Sequence, residues 1–138
     1  MARQKRVRVL VVDDDANFVE AITASFSADQ RLEVVGAASN GEEAVKQAAA
    51  LRPEVVAMDV SMPGLDGVEA TRIIRSADAG CRVVLVSGSM FQERTEQGSE
   101  VALSAGASAY VAKARAALDL ADAIVAAAQG RALEPGSS

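Results

Sequence analysis

Short runs of apolar, mostly β-branched residues alternate along this chain with longer, alanine-rich stretches that have helical spacing. The five runs, which are predicted strands, span Val7 to Val12, Leu32 to Ala37, Val55 to Met58, Val83 to Val86 and Ala109 to Ala112. Strands that alternate with helical stretches are typical of a parallel sheet with covering helices. The pattern therefore predicts an α/β fold built as one domain.

The stretches between and after the strands predict five helices. The first carries Phe18, Ile22 and Phe26 at positions i, i+4 and i+8, which places them on one helical face. The others are predicted between Asn40 and Pro53, from Gly67, between the fourth and fifth strands, and from Ala116 to Ala128.

The regular pattern covers residues 7–129, and the two ends of the chain differ from it in composition. Residues 1–6 form a basic flank, and we interpret the cluster of Arg3, Lys5, Arg6 and Arg8 as a solvated lead-in to the first strand. Residues 130–138, "GRALEPGSS", are rich in Pro, Gly and Ser and are predicted to form a flexible tail or linker.

Composition narrows the classes of function. A chain of 138 residues that is 50% hydrophobic with a net charge of -5 indicates a soluble globular domain without an overall basic footprint for nucleic acid. No apolar run approaches the roughly 18 residues of a membrane span, and the N-terminus lacks a signal peptide pattern. We therefore expect a cytoplasmic protein that binds neither nucleic acid nor membrane directly.

The cysteine and histidine content excludes several kinds of site. Cys81 is the single cysteine, so the chain has neither an intramolecular disulfide nor a cysteine-based metal cluster. The absence of histidine excludes a serine–histidine triad, a histidine-ligated zinc ion and a histidine phosphocarrier within this chain.

Polar residues follow four of the five predicted strands. The first strand ends in Asp13-Asp14, the third in Asp59, the fourth in Ser87 and the fifth in Lys113. In open α/β sheets, ligands bind beyond the carboxyl ends of the strands. We therefore expect these side chains to meet at one edge of the sheet.

Each of these groups suits the chemistry of phosphate. Clustered carboxylates are ligands for Mg²⁺, and a carboxylate can also act as a nucleophile that forms an aspartyl phosphate. A serine hydroxyl and a lysine ammonium can contact phosphoryl oxygens. Of the three adjacent acids, we predict that Asp13 and Asp14 face the metal and that Asp15, directly before the first helix, is its N-cap.

Four segments, in their order and spacing, carry a family resemblance: "VLVVDDD", "MDVSMPGLDG", "VLVSGS" and "GASAYVAK". Because of these segments, the chain resembles the receiver domains of bacterial two-component response regulators. The resemblance extends over about Val7 to Ala128. The stretch "LRPEVVAMDVSMPGLDGVEATRIIR" is most similar to the nitrate-regulator type. The resemblance implies a flavodoxin-like sheet of five parallel strands in the order 2-1-3-4-5, with five helices.

The resemblance also implies roles for the acidic residues. Asp59 would be the phosphoacceptor, and a sensor histidine kinase or a phosphotransfer protein would supply the phosphoryl group. Asp13, Asp14, Asp59 and the backbone carbonyl of Ser61 would hold Mg²⁺ as the cofactor.

Three further residues have roles implied by the resemblance. Ser87 and Tyr110 would be the switch residues, and Lys113 would bind the phosphoryl group. Such a chain catalyses only its own phosphorylation and dephosphorylation. It would present its switch face to a downstream protein or output domain, and phosphorylation could drive homodimer formation.

Two alternative functions remain open at this stage. The chain could be the receiver fragment of a DNA-binding transcriptional regulator whose helix-turn-helix domain is absent, since no recognition helix fits after the last predicted helix. It could also be a haloacid-dehalogenase-like phosphohydrolase with an Asp-x-Asp motif at Asp13 and Asp15. Asn17 disfavours the phosphohydrolase, because that motif requires Thr or Val there.

Overall fold

The computed structural model describes residues 5–88 and 103–130. Its five strands form one parallel sheet in the order β2-β1-β3-β4-β5, so the predicted α/β fold and strand order are confirmed. The strands are β1 (Val7–Val12), β2 (Leu32–Ala38), β3 (Val55–Asp59), β4 (Arg82–Ser87) and β5 (Ala109–Ala112). The α-helices within the described ranges are α1 (Ala16–Ser27), α2 (Gly41–Leu51), α3 (Gly67–Ala77) and α4 (Ala116–Ala128).

The remaining sequence predictions about the fold concern segments outside the described residues. The helix predicted between β4 and β5 falls mainly on residues 89–102. Most of the predicted basic flank and nearly all of the predicted tail, residues 1–4 and 131–138, also lie outside the described ranges.

Polar side chains fix where the first three helices begin. Asp15 accepts hydrogen bonds from the backbone amides of Asn17 at 3.0 Å and Phe18 at 3.3 Å, so the predicted N-cap of α1 is confirmed. The N-caps of α2 and α3 are Asn40 and Asp66. Each cap satisfies an amide that has no partner within its helix.

The sheet is covered on both faces, and β1 contributes alternate residues to each. Val9 and Val11 pack toward α1 and α4, with Phe26 among the buried side chains of that cluster. Leu10 and Val12 pack on the opposite face, toward α2 and α3. Because successive side chains of a strand point to opposite faces, this buried sheet can display polar chemistry only where its strands end.

The amino edge of the sheet is tied to α2 by Arg8. The Arg8 guanidinium donates to the carbonyl oxygens of Arg52 at 2.7 Å and Leu51 at 2.9 Å, and its backbone amide donates to Glu54 at 2.9 Å. The last carbonyls of a helix have no partner within that helix, so this cation stabilises the end of α2. The interpretation of Arg8 as part of a solvated lead-in was therefore wrong.

None of the helices in the described part of the chain has both the length and the apolar character that a membrane crossing requires.

Candidate functional site

The strand register brings the predicted polar groups together at the carboxyl edge of the sheet. β1 pairs with β3 up to the residues that precede Asp13 and Asp59, so these two acids are neighbours. The pairing of β3 with β4 puts Ser87 one position beyond the level of Asp59. Ser87 in turn lies opposite Ala112, the residue before Lys113. The predicted meeting of these residues at one edge is therefore what the topology produces.

Three carboxylates crowd together at this edge. Oxygen atoms of Asp13, Asp14 and Asp59 all lie within 4.8 Å of one another. Asp13 is 1% exposed and Asp59 6% exposed, whereas Asp14 is open to solvent. Two charges about 4 Å apart repel by roughly 4 kcal/mol at the effective dielectric of a protein surface, so the cluster favours a cation.

The two oxygens of Asp13 have different surroundings. Oδ1 accepts a hydrogen bond from the backbone amide of Asp15 at 2.8 Å, which fixes the carboxylate. Oδ2 lies 2.9 Å from Lys113 Nζ as an ion pair. Among the described residues this buried Oδ2 has no partner that meets the geometry of a hydrogen bond. A carboxylate oxygen has two lone pairs, so Oδ2 retains capacity for a metal ion beside the ion pair, and the donor set of the cluster fits Mg²⁺.

The pKa of Asp59 is raised from 3.8 to about 6. Burial is the largest cause, and the negative charge of Asp13 adds to it, with a smaller contribution from Asp14. The Lys113 charge and the Ser61 backbone amide, which donates to Asp59 Oδ1 at 3.4 Å, act in the opposite direction. Asp59 is thus a buried carboxylate that is charged at neutral pH at a cost in free energy.

Lys113 provides the positive charge at this edge. Partial burial lowers its pKa, but the close ion pair with Asp13, followed by the charges of Asp59 and Asp15, raises the pKa further than burial lowers it. The ammonium therefore stays charged. Nζ also lies 4.4 Å from the ring centroid of Phe18 in the first turn of α1. The helical spacing of Phe18 predicted only a core position on α1, and nothing in the sequence indicated its contact with Lys113.

The loop after Asp59 is closed at its base. The amide of Gly67 donates to the carbonyl oxygen of Val60 at 2.9 Å, and a Cβ atom at Gly67 would lie only 2.3 Å from the carbonyl oxygen of Asp59. Only glycine fits such an approach, and Gly64, at a φ of +79°, is a second position that favours glycine. These two glycines set the path of the loop beside the buried acid.

The predicted switch residues flank the site on β4 and β5. Ser87 is half-buried at the end of β4. Tyr110 is half-buried on β5, where it lies opposite Leu85 and packs against the core cluster beneath α2 and α3. Their switching roles, and the use of the Ser61 carbonyl as a metal ligand, stay predictions.

The chain is similar in sequence to a known family and to several curated proteins. The family model of the response regulator receiver domain matches residues 9–125. A protein-glutamate methylesterase/protein-glutamine glutaminase of Nocardioides sp. is 44% identical over 107 residues, which are 78% of this chain and 29% of that protein. A relative of the same description from Pseudomonas aeruginosa is 43% identical over 110 residues, 78% of this chain and 28% of that protein. The chain thus spans less than a third of the length of these curated relatives.

Two solved structures are similar over most of the chain. The signal receiver domain of the putative response regulator NarL from Mycobacterium tuberculosis has a TM-score of 0.83 and 31% identity, covering 92% of this chain and 99% of that one. The response regulator domain of Thermotoga maritima CheB has a TM-score of 0.80 and 31% identity, covering 91% and 98% respectively. The similarity therefore extends over the sheet and the edge that carries the acidic cluster.

Proposed function

Because this chain belongs to the response regulator receiver domain family, we propose that it accepts a phosphoryl group on Asp59 in a two-component phosphorelay. The observation that supports the proposal is the geometry of the carboxyl edge, where the register of β1 and β3 makes Asp13 and Asp59 neighbours and Lys113 Nζ lies 2.9 Å from Asp13 Oδ2. A buried carboxylate beside a fixed ammonium is the arrangement that phosphoryl transfer needs, because the reaction depends mainly on positioning and charge neutralisation.

In the proposed transfer, an oxygen of Asp59 attacks the phosphorus atom of a phosphohistidine. A P–O bond forms as the P–N bond breaks, and the imidazole leaves. The chain contains no histidine, so the donor is a partner protein, either a sensor histidine kinase or a phosphotransfer protein. Lys113 offsets negative charge on the phosphoryl oxygens, and Ser87 offers them a hydroxyl donor.

The proposed cofactor is Mg²⁺, held by Asp13, Asp14, Asp59 and the backbone carbonyl of Ser61. The mutual distances of the three carboxylates support this assignment. When bound, the ion supplies the positive charge that the crowded oxygens lack. We expect Asp14→Asn to lose Mg²⁺ binding and phosphorylation while keeping the fold, because it removes one of the repelling charges.

The assignment of Asp59 is tested by mass. The wild-type protein is incubated with Mg²⁺ and a small acyl phosphate, and its intact mass is measured. We expect one added phosphoryl group on the wild type, none on Asp59→Asn, and none on the wild type when EDTA removes the metal. A wild type that stays unmodified while a control receiver is phosphorylated would contradict the proposal.

The proposed consequence of phosphorylation is a switch at Ser87 and Tyr110. A phosphoryl group adds nearly two negative charges, and it shifts a conformational equilibrium only by contacts that differ between the two states. We therefore expect Ser87→Ala to accept phosphate but to show a weaker change on phosphorylation, measured by amide exchange between β4 and β5. An unchanged response of that variant would contradict a switching role for Ser87.

The proteins that this chain resembles differ in the activities that their names state. The curated relatives carry the name of a methylesterase, whereas similar solved structures include NarL and a two-component response regulator of the LuxR family from Aurantimonas sp. SI85-9A1, which is 30% identical. We propose that this chain catalyses only its own phosphorylation and dephosphorylation and that it controls a separate protein or an output domain. The predicted homodimer and the expected cytoplasmic location stay predictions.

A further inference from the structure

We propose that Phe18 is a positioning residue that holds the Lys113 ammonium in the crevice through a cation–π contact, an inference that rests on the proposed role of Lys113. Nζ lies 4.4 Å from the centroid of the Phe18 ring and 2.9 Å from Asp13 Oδ2. The ring and the carboxylate therefore share the same ammonium.

The stem of Lys113 is confined as well as its end. A Cβ atom at Gly88 would lie 3.3 Å from Lys113 Cδ, so the lysine chain runs directly over the backbone of Gly88. The Lys113 side chain is 23% exposed, although a lysine at a strand end could extend into solvent. A free lysine side chain has many accessible rotamers, so contacts along its length are needed to keep it in one place.

Phe18 is itself firmly held. Its backbone amide donates to the N-cap Asp15 at 3.3 Å, which fixes the first turn of α1. Its ring is half-buried and packs against the core cluster shared by α1, α4 and the sheet. The surface that the ring offers to Lys113 therefore belongs to a rigid element, not to a loop.

A neutral ring suits this position better than another acid. An aromatic face attracts an ammonium without accepting a conventional hydrogen bond from it, so donors of Nζ remain available for phosphoryl oxygens. A further carboxylate in the same place would hold Lys113 but would repel the incoming phosphoryl group. Phe18 thus keeps the lysine ready without adding negative charge to a cluster that already holds three acids.

The direct test of the contact is spectroscopic. The ε-methylene protons of Lys113, assigned by their absence in Lys113→Met, should be shifted upfield in the wild type by the Phe18 ring current. Phe18→Tyr should retain the shift and Phe18→Leu should lose it. Wild-type ε protons at ordinary lysine positions would overturn the inference. This readout requires no phosphorylation, so it stands even if the proposed function fails.

The functional test compares rates of phosphorylation by a small acyl phosphate in Mg²⁺. A contact of this kind contributes on the order of 0.5–1 kcal/mol at a partly exposed site, so Phe18→Leu should be about two- to fivefold slower than the wild type. Phe18→Tyr should restore the wild-type rate. The matched control is Phe26→Leu, which removes another phenyl ring from the buried end of the same helix. This variant should lower the free energy of unfolding without changing the phosphorylation rate.

A double-mutant cycle separates positioning from a general packing effect. In the Lys113→Met background, Phe18→Leu should cause no further loss of rate, because the ammonium that it positions is gone. An equal loss in both backgrounds would overturn the inference, and so would a wild-type rate in Phe18→Leu. Failure of the wild type to become phosphorylated would instead overturn the proposed function.

Discussion

The two edges of the sheet treat charge in opposite ways. At the amino edge, the Arg8 guanidinium donates to the carbonyls that end α2, and the Glu54 carboxylate accepts from the Arg8 backbone amide, so each charged group has a polar partner of complementary sign. At the carboxyl edge, three carboxylates lie within 4.8 Å of one another, and the cation that contacts them among the described residues is Lys113. The amino edge is arranged for stability, whereas the carboxyl edge holds repulsion that a ligand can relieve.

This difference between the two edges allows the fold to be stable while it holds a site whose charge repulsion a ligand can relieve. Native domains are stable by only about 5–15 kcal/mol, so a cluster that costs a few kcal/mol must be offset elsewhere. The hydrogen-bonded charges of the amino edge and the buried strands contribute to that offset. Substitutions at the two edges should therefore have opposite effects on the free energy of unfolding.

The largest expected effect is a stabilisation by Asp59→Asn. The folded-state pKa of about 6 lies above the ordinary 3.8, so the folded protein favours protonated Asp59, and this contribution to stability is lost as pH rises through 6. At pH 7 in EDTA, the variant should gain on the order of 2–3 kcal/mol in urea unfolding, and the gain should vanish near pH 3.5.

The control for that measurement is Glu33→Gln, which removes an exposed carboxylate from β2 and changes the net charge equally. Its difference from the wild type should stay small at every pH. Saturating Mg²⁺ should also reduce the gain shown by Asp59→Asn, because the ion stabilises the wild-type cluster. A gain that is independent of both pH and Mg²⁺ would refute the account of stored repulsion.

A smaller, opposite effect is expected at the amino edge. Arg8→Met keeps most of the side-chain stem but removes the two bonds to the end of α2, so the protein should lose roughly 1–2 kcal/mol of unfolding free energy. Mg²⁺ affinity and the phosphorylation rate should not change. Arg6→Met, at an exposed neighbouring position, is the control and should leave stability unaltered. Equal losses in the two variants would argue against the capping role of Arg8.

The smallest effect concerns Asp15, which belongs to the acidic run but not to the cluster of Asp13, Asp14 and Asp59. Asp15→Ala removes the N-cap of α1 and should cost on the order of 1 kcal/mol, with Mg²⁺ binding retained. Asp15→Asn, which can still accept the same amide bonds, should keep nearly all of the stability. If Asp15→Ala weakened Mg²⁺ binding without lowering stability, the division between the capping and metal-facing acids would be wrong.

The sequence was sufficient to predict the sheet and the placement of the polar groups at its edge. Parallel strands align their carboxyl ends, so residues that follow apolar runs, such as Asp59 and Lys113, are brought to the same edge of the sheet by topology. The cap at Asp15 was also predictable, because its partners are the backbone amides two and three positions further along the chain.

Contacts between distant segments could not be predicted in the same way. Arg8 lies within a basic cluster in the sequence, and nothing local indicates that its guanidinium reaches the end of α2, 44 residues away at Arg52. Phe18 fits the apolar spacing of α1 equally well as a simple core residue. Its contact with Lys113 depends on how α1 and β5 pack, which local periodicity does not specify.

The closure between Gly67 and Val60 has a consequence for protein engineering. The segment that follows Asp59 leaves β3 and returns to the same point before α3 begins, and within it the Met62 side chain is buried in the core cluster beneath α2 and α3. We therefore expect its exposed positions, such as Ser61 and Pro63, to be replaceable by the corresponding residues of another family member when Met62 and both glycines are kept. Such chimaeras would change the surface around Asp59 without rebuilding the sheet that supports it.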